Sequence, residues 1–167
     1  MTNSRTAVYT GSFDPVTLGH LHIIERAAPL FEELVIGVGS NADKRPLFDP
    51  DQRVELVRLV TGSLPNVRVQ VFDGLAVDFV RSLNARVMVR GIRPLTDIAG
   101  EFTMMMANHQ LAPDIETVFL MAAERYAHVS SSLLKQIAAL SEDDDQLAKF
   151  VPREIIQSLR EQLRCQN

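Results

Sequence analysis

A doubly wound, five-stranded parallel α/β sheet with C-terminal helices is the fold this sequence predicts. Two observations predict it. Short apolar runs rich in β-branched residues recur at 7–9, 34–38, 67–71, 87–89 and 117–121. Helical patterns lie between them, so strand and helix alternate five times, the pattern of parallel strands joined by crossover helices. The 167 residues are expected to form one domain spanning 1–167, and 46% hydrophobic against 23% charged residues suits a globular chain with a real core.

Each element has a local reason. After the first run, Ile23, Ile24, Ala27, Ala28 and Phe31 recur at helical spacing over 19–31. Asp49-Pro50 opens a second helix, with Asp49 as its cap and Pro50 in the first turn. Further helices are expected over 75–83, 97–111 and 130–140, and a last one runs from Pro152 towards Arg164. Met104-Met105-Met106 with Phe102 reads as core packing or the wall of an apolar pocket. Ser141-Glu142-Asp143-Asp144-Asp145 reads as a solvated connector between helices rather than a metal site.

Charge and composition exclude several roles. A net charge of −4 gives no bulk attraction to nucleic acid, so a polyanion site has to be built locally. The lone Cys165 cannot form an internal disulfide, which is compatible with a reducing compartment. Residues 1–6 are polar and no long apolar run follows, so neither a signal peptide nor a membrane span is expected, and the expected location is cytoplasmic.

Ligands of such sheets bind beyond the carboxyl ends of the strands. Two polar, glycine-containing segments fall at that edge, 10–20 and 90–97. In the first, Thr10-Gly11-Ser12-Phe13-Asp14-Pro15 leads into Thr17-Leu18-Gly19-His20 at a helix start. Unpaired N–H donors, a hydroxyl and an imidazole would meet there, which suits a phosphate-bearing ligand. Gly11 and Gly19 alone would be turn and helix-start glycines. In the second, Arg90 and Arg93 flank Gly91-Ile92 and offer forks of donors for phosphate. Ser130-Ser131-Ser132 reads as a helix cap, and a cap and a phosphate site use the same helix end. Gly37-Val38-Gly39-Ser40-Asn41-Ala42 has dinucleotide-loop spacing, but Pro46 interrupts any following helix and no acidic residue stands about twenty positions on. No P-loop is present. His20 and His22, two apart and without a cysteine cluster, do not make a zinc pair.

Taken jointly, Gly11-Ser12-Phe13-Asp14-Pro15, Thr17-x-Gly19-His20, Arg90-Gly91-Ile92-Arg93 and Val129-Ser130-Ser131-Ser132 resemble the nucleotidyltransferase superfamily marked by an H/T-x-G-H motif. Within it the chain is most similar to the phosphopantetheine adenylyltransferase family, and the likeness runs to Phe150-Val151-Pro152 near the end. The resemblance implies a Rossmann-like nucleotidyltransferase fold that moves AMP from ATP to 4′-phosphopantetheine, yielding dephospho-coenzyme A and pyrophosphate without a covalent enzyme intermediate. It implies His20 as transition-state stabiliser, with Lys44 and Arg90 beside it. It places Ser12, Phe13, His20, Gly91, Ile92, Arg93, Glu101, Tyr126, Ala127, His128, Val129, Ser130, Ser131 and Ser132 around ATP. Ser12, Lys44, Ala76 and Arg90 would hold phosphopantetheine. Mg2+ would ride mainly on phosphate oxygens, coenzyme A would be a feedback ligand, and the assembly would be a homohexamer.

The chain departs from the pattern at Thr10, where the family usually has Pro, at Ile98-Ala99-Gly100, where an aromatic is usual, and at His22, where Asp is frequent and to which no role is given. Alternative readings are another small nucleotidyltransferase such as a cytidylyltransferase, a non-catalytic nucleotide-binding module, or an α/β interaction domain.

Overall fold

Five parallel strands lie in the order β3-β2-β1-β4-β5 in the computed structural model, which describes residues 5–39, 46–93 and 97–166. They are β1 (Thr6–Gly11), β2 (Glu33–Gly39), β3 (Val67–Phe72), β4 (Val87–Ile92) and β5 (Glu116–Met121). The chain runs outward from β1 to β3, then returns to pair β4 with the other side of β1, Tyr9 lying between Ile36 and Val89. That reversal between β1 and β4 is a topological switch point, where a crevice opens beyond the strand ends.

Strand alternation divides the core. Ala7, Tyr9, Leu34, Ile36 and Val38 face one side, where they meet α1 (Leu18–Ala27), α2 (Pro50–Thr61), α5 (Ser131–Leu140) and α7 (Ile156–Gln166). Val8, Val35 and Met88 face the other, where they meet α3 (Ala76–Ser82). Cap chemistry sets the helix starts as expected at Asp49: its carboxylate accepts from the Gln52 N–H at 2.8 Å and Gln52 Oε1 accepts from the Asp49 N–H at 3.0 Å.

Four expectations change. The strands run further than the apolar runs did, so Thr10 and Gly11 belong to β1 and Arg90 and Gly91 to β4, because the ladder to β2 and β5 continues through them. Helix α1 stops at Ala27 rather than near Phe31, since Pro29 has no N–H to continue it and the chain tightens into a 3-10 turn over Ala28–Leu30. The acidic connector folds into a turn of helix, α6 (Asp144–Leu147), capped by Asp143, and its carboxylates pair with Arg153 at 2.7 Å and Arg160 at 3.2 Å.

The largest change is at α4 (Ile98–Leu111). None of its fourteen residues is buried. Met104 and Met106 are 55% and 67% exposed and Phe102 is 46% exposed, stacked on Phe119 at 5.3 Å, so this triplet is neither core nor pocket wall. Apolar residues surround this helix instead of forming one stripe, so a single sheet face cannot cover them all. No helix among the described residues is long and apolar enough to cross a membrane.

Candidate active site

A cavity of about 690 Å³ opens at the switch point, and its wall draws on β1, β4 and the starts of α1, α4 and α5. Ser12, Phe13, His20, Arg90, Gly91, Arg93, Glu101, Tyr126, Val129, Ser130, Ser131 and Ser132 all line it. Segments more than a hundred residues apart in sequence meet here because β1 and β4 are neighbours.

At the start of α1, Thr17 and His20 cap each other. Thr17 Oγ1 accepts from the His20 N–H at 3.3 Å, and His20 Nδ1 accepts from the Thr17 N–H at 3.1 Å. An Nδ1 that accepts from a backbone N–H carries no proton, so the neutral ring holds its hydrogen on Nε2. Phe13 packs against the ring with centroids 5.0 Å apart. Burial, then the nearby Arg93 and Arg90 guanidinium groups, pushes His20 from 6.5 down to about 4. The same capping closes most of this helix end. Leu18 N–H donates to the Phe150 carbonyl at 3.0 Å and His20 N–H to Thr17, which leaves Gly19 as the first-turn donor without such a partner among the described residues. The expectation of several unpaired donors here is therefore corrected: most are satisfied from within the chain.

The start of α5 is different. Ser130 is the cap, its Oγ accepting from the Leu133 N–H at 3.1 Å, and Ser131 Oγ donates to the Pro15 carbonyl at 2.8 Å. The Ser131 and Ser132 N–H groups have no such partner among the described residues, and the exposed Ser132 lines the cavity. An open helix start of this kind can accept an anion.

The arginine forks are both engaged. Arg90 meets Glu101 through Nε at 2.8 Å and a terminal nitrogen at 2.6 Å, and also donates to the Thr10 carbonyl at 2.5 Å. Arg93 grips Asp97 at 2.6 and 2.7 Å and reaches the Val129 carbonyl at 3.1 Å. Gly91, between them, sits so close to Ile23 and the Tyr9 hydroxyl that a Cβ would lie 3.0 and 3.2 Å from them. Burial raises the Tyr9 phenol to about 12, so it stays protonated. Tyr126 lines the cavity with the His22 ring 5.1 Å behind it and the Arg125 guanidinium 4.8 Å over its face.

Four expected residues do not line the cavity. Ile92 is buried at the end of β4, Ala76 opens α3 and packs on the second core, Ala127 closes a 3-10 turn, and His128 is exposed with its ring 5.8 Å from Phe150. Lys44 lies outside the described residues.

Sequence reasoning missed Asp14, Arg53 and Lys135. Asp14 Oδ1 accepts from Leu47 N–H at 3.1 Å and Phe48 N–H at 2.9 Å, while Oδ2 accepts from Leu47 N–H and Lys135 Nζ, each at 2.9 Å. Arg53, 2% exposed, donates to the Ser12 carbonyl at 2.8 Å and the Gly39 carbonyl at 3.0 Å. Asp14 stood inside a motif already singled out, but no sequence signal pairs it with Leu47, Phe48 or Lys135, and its burial is visible only in the fold. Among the described residues, no group of His, Cys, Asp and Glu is placed to hold a metal ion.

Comparisons with known proteins give the family and the fold. The family described as cytidylyltransferase-like matches residues 8–137. The chain is 79% identical over 157 residues to a phosphopantetheine adenylyltransferase of Rhodopirellula baltica, covering 94% of this chain and 88% of that one. It is 46% identical over 153 residues to one of Lachnoclostridium phytofermentans, with 92% of each covered. A Plasmodium falciparum nicotinic acid mononucleotide adenylyltransferase complexed with NaAD superposes with a TM-score of 0.69 over 91% of this chain and 92% of that one; at 12% identity it shows the shared fold.

Proposed function

Because the chain belongs to the phosphopantetheine adenylyltransferase family, we propose that it moves the adenylyl group of ATP to 4′-phosphopantetheine in coenzyme A biosynthesis. An oxygen of the pantetheine phosphate attacks the α-phosphorus in line. The bond from that phosphorus to the bridging oxygen of the β-phosphate breaks, and its electron pair leaves with pyrophosphate. Dephospho-coenzyme A remains, and no enzyme atom is bonded to substrate. Such a step needs positioning and charge stabilisation rather than a nucleophile.

The observation that carries this reading is His20, held neutral with Nδ1 tied to Thr17. Its Nε2–H is then a fixed donor for α-phosphate oxygens as their charge grows. Ser12, Phe13, Gly91, Ile92, Arg93, Glu101, Tyr126, Ala127, His128, Val129, Ser130, Ser131 and Ser132 complete the ATP subsite, Ile92, Ala127 and His128 through backbone next to the cavity. Ser12, Lys44, Ala76 and Arg90 receive phosphopantetheine. The cavity carboxylates Asp14, Asp97 and Glu101 are each paired with a cation, so Mg2+ would be held mainly by the ligand's phosphates and would supply charge neutralisation there.

The whole chain, 1–167, works as one nucleotidyltransferase domain in the cytoplasm. The apolar surface of α4 and Met121 supports a homohexamer, since patches of this kind are covered in assemblies. Coenzyme A, which shares the product's adenylyl and pantetheine parts, is a feedback ligand for the same cavity.

Pyrophosphate release with ATP or CTP, each with and without 4′-phosphopantetheine, tests the reading. Release that needs both ATP and 4′-phosphopantetheine is expected. Release with CTP in place of ATP, or nucleotide binding without release, would overturn it.

A further inference from the structure

Between β1 and α1 the chain passes through a turn that its own residues disfavour. Phe13 has a φ of +46°, in the left-handed region that a bulky side chain enters only under strain. Such a conformation persists where its surroundings over-determine it. One restraint is packing: the Phe13 ring, 1% exposed, lies edge-on to Tyr9 with centroids 5.3 Å apart and to His20 at 5.0 Å. The other acts on the backbone just before it. Arg53, on α2, donates from one terminal nitrogen to the Ser12 carbonyl at 2.8 Å and to the Gly39 carbonyl at 3.0 Å. Its Nε donates to the Asp49 carbonyl at 3.4 Å. One guanidinium thus gathers the chain leaving β1, the last residue of β2 and the cap of α2.

This contact is a clamp rather than an ion pair. The cavity carboxylates Asp14, Asp97 and Glu101 pair with Lys135, Arg93 and Arg90, and the acceptors that Arg53 meets among the described residues are carbonyls. A planar fork can fix three carbonyls at once, which a point charge on a shorter stem does not. The Ser12–Phe13 peptide is trans, so its N–H points opposite to its carbonyl. With the carbonyl turned into Arg53, the Phe13 N–H is turned away from it. That N–H has no hydrogen-bond partner among the described residues, and Phe13 lines the cavity.

We propose that Arg53 is a positioning residue for the nucleotide: by clamping the Ser12 carbonyl it holds the strained turn in which the Phe13 N–H donates to a phosphate and the Phe13 ring packs on His20. The inference rests on the adenylyl-transfer reading but is tested apart from it. Calorimetry on the full chain, with ATP and Mg2+ as the probe, compares wild type with Arg53→Lys and Arg53→Gln, folding being checked by thermal melting and kcat by pyrophosphate release. Both variants are expected to bind ATP roughly ten- to a hundredfold more weakly, the range for a lost hydrogen bond to a charged group. Their kcat should fall about tenfold or more, because the turn beside His20 is no longer fixed. Arg53→Lys should lose as much as Arg53→Gln although it keeps the charge. Arg53→Lys within twofold of wild type in both readouts would reduce Arg53 to a counter-charge and overturn the proposal. A lowered melting temperature with unchanged Kd and kcat would overturn it too, leaving Arg53 a support of the fold alone. The wild-type chain supplies a readout that does not depend on either variant folding: its Phe13 amide resonance should shift when ATP and Mg2+ are added, and an unmoved amide would overturn the proposal. Arg53-dependent ATP binding in a protein that releases no pyrophosphate would sink the function and spare this inference.

Discussion

The starts of α1 and α5 face the same cavity, both begin with a hydroxyl cap, and they are prepared in opposite ways. At α1 the chain satisfies its own donors: Phe150 takes the Leu18 N–H, Thr17 takes that of His20, and the imidazole takes that of Thr17. At α5 the Ser130 hydroxyl takes the Leu133 N–H and its carbonyl that of Leu134, which leaves the Ser131 and Ser132 N–H groups without a hydrogen-bond partner among the described residues. The difference offers two tasks that the serine-rich and glycine-rich motifs alone would merge. The closed start fixes one side chain beside the cavity, while the open start leaves backbone donors free to accept an anion.

The largest expected effect comes from breaking the closed start. His20→Ala should lower kcat on the order of 10²–10³-fold, the usual cost of one preorganised donor, with ATP affinity within a few-fold of wild type. Turnover at the wild-type rate would remove His20 from its role.

Next comes the cation between the two starts. Arg90→Ala should raise KM for 4′-phosphopantetheine by roughly tenfold or more, since it removes a charged donor and strands Glu101 in a partly buried pocket. An unchanged KM would count against its assignment.

Removing the open start's hydroxyl is milder. Ser132→Ala should raise KM for ATP roughly two- to tenfold, the value of a neutral hydrogen bond, and leave the melting temperature where it was because Ser132 is exposed. A shifted melting temperature with an unchanged KM would make Ser132 structural.

The smallest effect is on stability against pH. Folding lowers His20 from 6.5 to about 4, so between those values the unfolded chain binds the proton more readily than the folded one. Stability from the neutral imidazole is therefore full above about 6.5 and is lost as pH falls through about 4. His20→Gln should flatten this part of the curve in denaturant titrations; an unaltered slope would place the acid sensitivity elsewhere.

The sequence made the local features legible. Asp49-Pro50 and Ser130 announce helix starts because a cap acts over three residues, and the apolar runs announce strands because their neighbours are equally apolar. The motif residues that line the cavity were visible because they cluster at strand ends and helix starts along the sheet edge. What stayed hidden depends on distance along the chain. Nothing near Asp14 foretells Leu47, Phe48 or Lys135, which lie 33, 34 and 121 residues away. Nor could spacing show that the Arg90 and Arg93 forks would be met by Glu101 and Asp97, or that Leu18 would be capped by Phe150. The methionines of α4 misled for another reason: apolar residues earn burial only where a second surface exists, and one sheet face offers this helix too little.

The central claim is that a neutral His20, protonated on Nε2, waits at the closed start. A long-range 1H–15N spectrum of the imidazoles, followed from pH 8 towards 4, reads this directly. The account predicts that His20 keeps its proton on Nε2, with Nδ1 bare, and titrates only near the bottom of that range. A proton on Nδ1, or titration near the ordinary imidazole value of 6.5, would contradict it.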